Sequence, residues 1–124
     1  MEIELENQIT DKVESLLFYL GFSPIKPAWI YLRDAIIQVA TTPASQKFLI
    51  GDFCRENAIK NKTTSSAVER AMRYAIDNAF CRNRSHFQET FPYLNESFHK
   101  PSNSEFISYC AYVIRQQTQA ALSK

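Results

Sequence analysis

The chain has 124 residues, of which 45% are hydrophobic, and its formal net charge at pH 7 is +1. This length fits one domain with a single packed core, and a charge so close to zero argues against a nonspecific nucleic-acid coat protein. There is no 18-residue apolar run and no basic-then-apolar secretory leader, so we expect a cytoplasmic protein without a membrane span.

Cysteine and histidine spacing gives no sign of a metal site or of catalysis. Cys54, Cys81 and Cys110 are too far apart for a zinc site or a disulfide framework. Each falls on or beside an apolar helical stripe, so we expect small buried or half-buried side chains. His86 and His99 have no Gly-rich phosphate loop or Ser–His–acid arrangement around them. We therefore expect neither an enzyme nor a cofactor.

Apolar residues at helical spacing mark two helices in the first third of the chain. The first follows an acidic tail over residues 1–6, would be capped by Asn7, and ends where Gly21 can take a left-handed conformation. Pro27 suits the first turn of the second helix, which residues 41–43 end. The two buried stripes are Ile9, Val13, Leu16, Leu17 and Leu20, and then Trp29, Leu32, Ile36 and Val39.

A third helical stretch begins near Ala44. Its expected inward residues are Phe48, Leu49, Phe53 and Ile59. Glycine inside a helix costs about 1 kcal/mol relative to alanine, so Gly51 is a candidate break. With a break there, residues 52–60 form the first helix of a helix-turn-helix over residues 52–82.

The fourth helix has the strongest pattern. Its apolar stripe is Val68, Ala71, Met72, Ala75, Ile76, Ala79 and Phe80. The opposite, polar row is Glu69, Arg70, Arg73, Tyr74 and Asp77. Ser66 with Glu69 fits a capping box, which places the start of the helix at Ser66. A short polar turn before an arginine-bearing helix is typical of a helix-turn-helix that enters the major groove.

Charge is concentrated where this motif needs it. Residues 55–84 hold seven basic and three acidic side chains, whereas residues 1–20 hold five acidic side chains and one lysine. Basic charge around the turn and the fourth helix favours contact with the phosphate backbone of DNA.

The last third adds a short helix over residues 85–91, a loop over residues 93–100 and a final helix. Phe87 and Phe91 lie four apart on the short helix, and Ser102 with Glu105 forms a second capping box. The final stripe is Phe106, Ile107, Cys110, Val113 and Ile114. No strand pattern competes, so the sequence predicts one all-α domain over residues 1–124, with about six helices and no wing.

Several stretches resemble the effector domain of the sporulation master regulator, stage zero sporulation protein A. The main ones are VERAMRYAI at residues 68–76, preceded by Thr63 and Thr64, and KPSNSEFI at residues 100–107. Residues 20–21, residues 31–36 and the pair Phe91 and Tyr93 agree as well, so the resemblance covers nearly the whole chain.

This resemblance implies a six-helix DNA-binding domain that reads a short box of the TGTCGAA kind. Family members often bind tandem copies head to tail and contact RNA polymerase through its sigma subunit. The effector domain normally follows a phosphoaccepting receiver domain. None precedes it in these residues, so we expect either a stand-alone effector module or part of a longer protein.

Four positions depart from the family pattern and bear on which DNA sequence is read. Ala67 stands where the family has an arginine, so one base contact is missing. Tyr74 replaces a histidine, and Asn57 and Asn61 stand where more apolar residues are usual. DNA binding is compatible with these changes, but the identity of the box does not follow from the family.

The base-contact candidates are Glu69, Arg70 and Arg73. Arg70 is the first choice for guanine, Glu69 could accept from a cytosine amine, and Arg73 could also reach phosphate or sugar. The backbone-contact candidates are Lys62, Thr63, Thr64, Ser65, Ser66, Tyr74, Lys100, Ser102 and Asn103. The simpler interpretation is a solvated helix face with a Glu69–Arg73 ion pair, next to ordinary turn and cap residues.

Two functions of different class follow. The first is a sequence-specific transcriptional regulator whose partners are double-stranded DNA, a second copy on tandem sites and the polymerase sigma subunit. The alternative is an interaction module that modulates a full-length regulator or RNA polymerase without reading DNA well.

Overall fold

The computed structural model describes residues 2–43, 46–92 and 99–122, and these residues form six α-helices without a strand. The helices are α1 (Glu2–Tyr19), α2 (Pro27–Thr41), α3 (Ile50–Lys60), α4 (Ser65–Arg82), α5 (Arg84–Thr90) and α6 (Asn103–Leu122). The all-α prediction is confirmed. No helix in the described ranges is long and apolar enough to cross a membrane.

One apolar core holds the helices together. α2 packs on α1, α4 and α6, while α3 and α5 both pack on α4. Phe87, Phe91 and Phe106 are completely buried, and their ring centroids lie 5.9 to 6.1 Å apart. Aromatic rings at such distances contribute beyond their buried area, so this trio fixes α5 against α6.

The turn between α1 and α2 (residues 20–26) has the predicted glycine. Gly21 has φ +99°, and the amide of Phe22 donates to the Leu17 carbonyl at 3.0 Å, which closes the end of α1. A Cβ atom on Gly21 would lie 2.1 Å from Nδ2 of Asn83, so the turn passes close to the carboxyl end of α4.

The start of α1 differs from the prediction. The helix begins at Glu2 rather than after a cap at Asn7, so residues 2–6 of the expected acidic tail are helical. Acidic side chains in the first turns of a helix interact favourably with its dipole, which explains the extension.

Arg33 and Arg115 make polar contacts between helices. Nη1 of Arg33 lies 3.4 Å from Oε2 of Glu14 and links α2 to α1. On α6, Arg115 donates from Nε to the Ala40 carbonyl at 3.3 Å and from Nη2 to the Thr42 carbonyl at 3.4 Å. It thereby satisfies carbonyl groups that the end of α2 leaves unpaired.

Two of the four residues predicted to point inward from the third helix are exposed. Leu49 and Ile59 are 56% and 80% exposed. α3 begins only at Ile50, and Gly51 lies in its first turn without breaking it. The buried face runs through Phe53 and Asn57, which places Ile59 on the far side of the helix. The expected start at Ala44 and most of the loop predicted over residues 93–100 lie outside the described residues.

The cysteines divide into two environments. Cys54 and Cys110 are buried, and burial raises the pKa of both thiols. Cys81 is exposed, contrary to the prediction, because it follows Phe80 by one residue and so leaves the apolar stripe of α4. Among the described residues, no group of three or more His, Cys, Asp or Glu could hold a metal ion.

Candidate nucleic-acid interface

α3 and α4 pack against each other and are joined by a tight turn over residues 61–64. Lys62 has φ +53°, a left-handed conformation. The amide of Thr63 donates to the Ala58 carbonyl at 2.9 Å, and the amide of Lys62 donates to the Ile59 carbonyl at 3.4 Å. These two bonds close the end of α3 and turn the chain into α4, the arrangement of a helix-turn-helix.

The cap of α4 is Thr64 rather than Ser66. Oγ1 of Thr64 accepts a hydrogen bond from the Ala67 amide at 3.1 Å, and the backbone of Thr64 is extended. The predicted capping box between Ser66 and Glu69 is therefore wrong. The turn closes at Lys62, so the chain re-enters helical geometry two residues earlier than the Ser–x–x–Glu pattern indicates.

The outer face of α4 consists of the predicted polar row: Glu69, Arg70, Arg73, Tyr74 and Asp77. Nη1 of Arg73 lies 2.7 Å from Oε1 of Glu69, and the two side chains are 47% and 42% exposed. The Arg73 guanidinium is also 5.5 Å from the centre of the Tyr74 ring. The expected Glu69–Arg73 ion pair is thus present, and the Glu69 carboxylate takes no part in capping the helix.

Arg70 differs from its neighbour Arg73. It is exposed, and within the described ranges its side chain forms neither a hydrogen bond nor an ion pair. Its guanidinium therefore projects from the first half of α4 with all its donors available. Such a planar fork matches the O6 and N7 acceptors of guanine in the major groove.

The start of α6 lies beside one edge of the outer face. Nζ of Lys100 is 3.6 Å from Oδ2 of Asp77. The second predicted capping box is confirmed: the Ser102 amide donates to Oε1 of Glu105 at 2.9 Å, and the Glu105 amide donates to Oγ of Ser102 at 3.2 Å. The hydrogen bond from the Ser102 amide lowers the pKa of Glu105.

Asn103 does not have the place predicted for it. Its side chain is buried, and Nδ2 donates to the Glu69 carbonyl at 3.0 Å. The side chain points into the protein and does not project from the surface toward a duplex. Instead it fixes α6 to the first half of α4.

The opposite edge of the outer face borders a groove that no sequence pattern indicated. This flank groove lies between the α1–α2 turn and α4. Its lining includes Lys26, Trp29, Tyr74, Asn78 and Arg82. The two segments are about fifty residues apart in the sequence, so no local spacing could have revealed it. Lys26 and Arg82 are basic residues that the sequence analysis did not select.

The described residues form a helical domain without strands, and an exposed arginine lies on the second helix of its helix-turn-helix. This fold and this surface define the class of helical DNA-binding domains. The family described as "Sporulation initiation factor Spo0A C terminal" matches residues 13–114, and the chain belongs to this family. It is thus a DNA-binding effector domain of the sporulation regulator type, which confirms the resemblance.

Proposed function

We propose that the chain regulates transcription by recognising a short DNA sequence through the outer face of α4, with Arg70 as the guanine-reading residue. One observation carries the proposal: the Arg70 guanidinium is exposed and unengaged by any described residue, close behind the turn that starts the helix. A bidentate arginine–guanine contact discriminates against the wrong base by about 1–3 kcal/mol.

Glu69 and Arg73 can both exchange their mutual contact for DNA. An exposed ion pair four residues apart on a helix contributes only about 0.3–0.5 kcal/mol, so giving it up costs little. Glu69 would then accept from the amine of a cytosine, and Arg73 would reach either a base edge or a phosphate. When Glu69 leaves the ion pair, the Arg73 guanidinium also becomes free to contact the phosphate backbone of the DNA.

Backbone contacts come from the turn and from the start of α6. Lys62, Thr63, Ser65 and Ser66 present side chains and amides at the positive end of α4. The Thr64 hydroxyl accepts from the Ala67 amide and keeps its own proton for a phosphate oxygen.

On the α6 side, Lys100 and Ser102 supply the corresponding groups, and Tyr74 can add a hydroxyl. Such contacts set register on the duplex and salt dependence rather than sequence preference. A second copy on a tandem box and the sigma subunit of RNA polymerase are further partners of the proposed regulator, which would act in the cytoplasm.

Selection of bound sequences from a random duplex pool tests the proposal and reveals the box. Wild type should enrich one short sequence, and Arg70→Ala should reduce the preference for it over a scrambled duplex by about five- to 150-fold. Arg55→Ala is the matched control, since it removes an exposed arginine from α3, where Arg55 pairs with Asp52 of the same helix. It should leave the preference unchanged.

Two outcomes would overturn the proposal in different ways. If Arg70→Ala weakens binding to the selected and scrambled duplexes equally, Arg70 is a phosphate clamp and does not read guanine. If wild type retains no duplex even at low salt, the chain is not a DNA reader, and the interaction-module alternative takes its place.

A further inference from the structure

We propose that the flank groove receives the sugar–phosphate backbone of one DNA strand, with Lys26 and Arg82 as phosphate contacts. The inference deepens the proposed function and rests on it. It gives the duplex a second line of backbone contacts, on the side of α4 opposite to Lys100 and Ser102.

Helical geometry places the flank groove on the edge of α4 that faces away from the start of α6. Successive residues of an α-helix are rotated by about 100°. Glu69, whose carbonyl accepts from Asn103 of α6, therefore lies on one edge of the outer face, whereas Tyr74, Asn78 and Arg82 follow one another along the other edge. A helix in the major groove runs between two phosphate backbones, so each edge faces one strand.

The chemistry of the groove fits a nucleic-acid backbone. Its volume is about 460 Å³, and no acidic side chain lines it. Trp29, Ala71 and Ala75 give it an apolar floor, against which the carbon face of a deoxyribose can pack. Lys26 and Arg82 are exposed at its edge, and neither forms an ion pair within the described part of the chain.

The groove is already formed in the free protein. On the α1–α2 side, the Trp29 amide donates to the Lys26 carbonyl at 3.0 Å, which fixes the backbone of Lys26 at the start of α2. The close approach of Gly21 to Asn83 holds the turn against the carboxyl end of α4. The two basic side chains thus project from the α1–α2 turn and from the last residue of α4, on either side of the groove.

The salt dependence of binding to a random-sequence duplex of roughly 20 base pairs measures these contacts without reference to any box. Each phosphate contact contributes about 0.9 to the slope of log K against log salt, equivalent to about five- to eightfold in affinity near 0.1 M. Lys26→Gln and Arg82→Gln should each lower the slope by about 0.9, and the double variant by about 1.8.

Lys12→Gln is the charge-matched control, because Lys12 lies on α1 and lines neither the flank groove nor the outer face. Its slope should equal that of wild type. Phosphate-ethylation interference on the selected duplex gives an independent measurement. Wild type should show sensitive phosphates on both strands, and the double variant should lose the cluster on one strand only. Circular dichroism melting confirms that each variant is folded.

The outcomes separate this inference from the proposed function. Unchanged slopes and an unchanged interference pattern in the double variant overturn the groove contact, whether or not a box is selected. Lower slopes without any enriched sequence leave the groove contact standing and overturn sequence-specific reading. An absence of binding at low salt overturns both.

Discussion

Replacing Thr64 by alanine tests the placement of the helix start most directly. The Thr64 hydroxyl accepts from the Ala67 amide at 3.1 Å, and alanine would leave that amide to water. Loss of a threonine N-cap costs about 0.5–2 kcal/mol, and an exposed site such as this one falls near the middle, at about 1 kcal/mol.

Ser66→Ala is the matched control. In the structure Ser66 lies inside the first turn of α4, where alanine is the better helix former, so the variant should be neutral or more stable by about 0.5 kcal/mol. If Ser66 were the cap, as the sequence pattern indicates, the order of the two variants would be reversed.

Thermal and urea unfolding followed by circular dichroism can resolve this difference. At about 2.1 cal/mol/K per residue, the unfolding entropy of a chain of this length is about 260 cal/mol/K, so 1 kcal/mol shifts Tm by about 4 °C. Thr64→Ala should melt about 4 °C lower than wild type, and Ser66→Ala at or slightly above it. A larger loss for Ser66→Ala than for Thr64→Ala would refute the assigned cap.

Four further substitutions have expected outcomes. Lys62→Gly should raise stability by about 1 kcal/mol in urea unfolding, because glycine tolerates φ +53°, yet weaken DNA binding about fivefold by removing a phosphate contact. Gly21→Ala should lower Tm by about 4–12 °C, whereas Gly51→Ala, whose Cβ would make only an ordinary van der Waals contact with the Arg55 side chain, should raise Tm slightly. Because the folded-state pKa of Glu105 is lowered, the ionised carboxylate stabilises the folded state at pH values above its unfolded pKa of about 4.3. This stabilisation is lost as the pH falls from that value through the lowered folded-state pKa. The Tm difference between wild type and Glu105→Gln should therefore shrink below about pH 4, and a constant difference would contradict this.

Features set by local spacing were predictable from the sequence. Gly21 at the end of α1, Pro27 at the start of α2, the stripe of α4 and the box between Ser102 and Glu105 all depend on residues within a few positions of each other. Local geometry decides each of these, so residue type and spacing were sufficient.

The cap of α4 was not predictable in the same way. Residues 63–66 are all hydroxyl-bearing, and each can cap a helix. The choice is made by the end of α3, where a lysine rather than a glycine takes the left-handed conformation. No residue type in the turn indicates this left-handed conformation, so the Ser–x–x–Glu pattern predicted the wrong cap.

Contacts between segments that are distant in the chain could not be predicted from the sequence either. Asn103 fits a phosphate-binding helix start by residue type, and only its position against α4 shows that it is buried. The flank groove likewise exists only because the α1–α2 turn packs beside α4. Binding candidates on one helix could be inferred from the pattern, whereas those that depend on helix packing could not.

α4 is held near both ends by segments from elsewhere in the chain: Asn103 at the Glu69 carbonyl, and the turn at Gly21 beside Asn83. If α4 enters the major groove as proposed, it does so in a fixed orientation, and little conformational entropy is lost on docking. The association rate of such a domain would be governed by diffusion and long-range charge attraction, not by a slow ordering step within the protein.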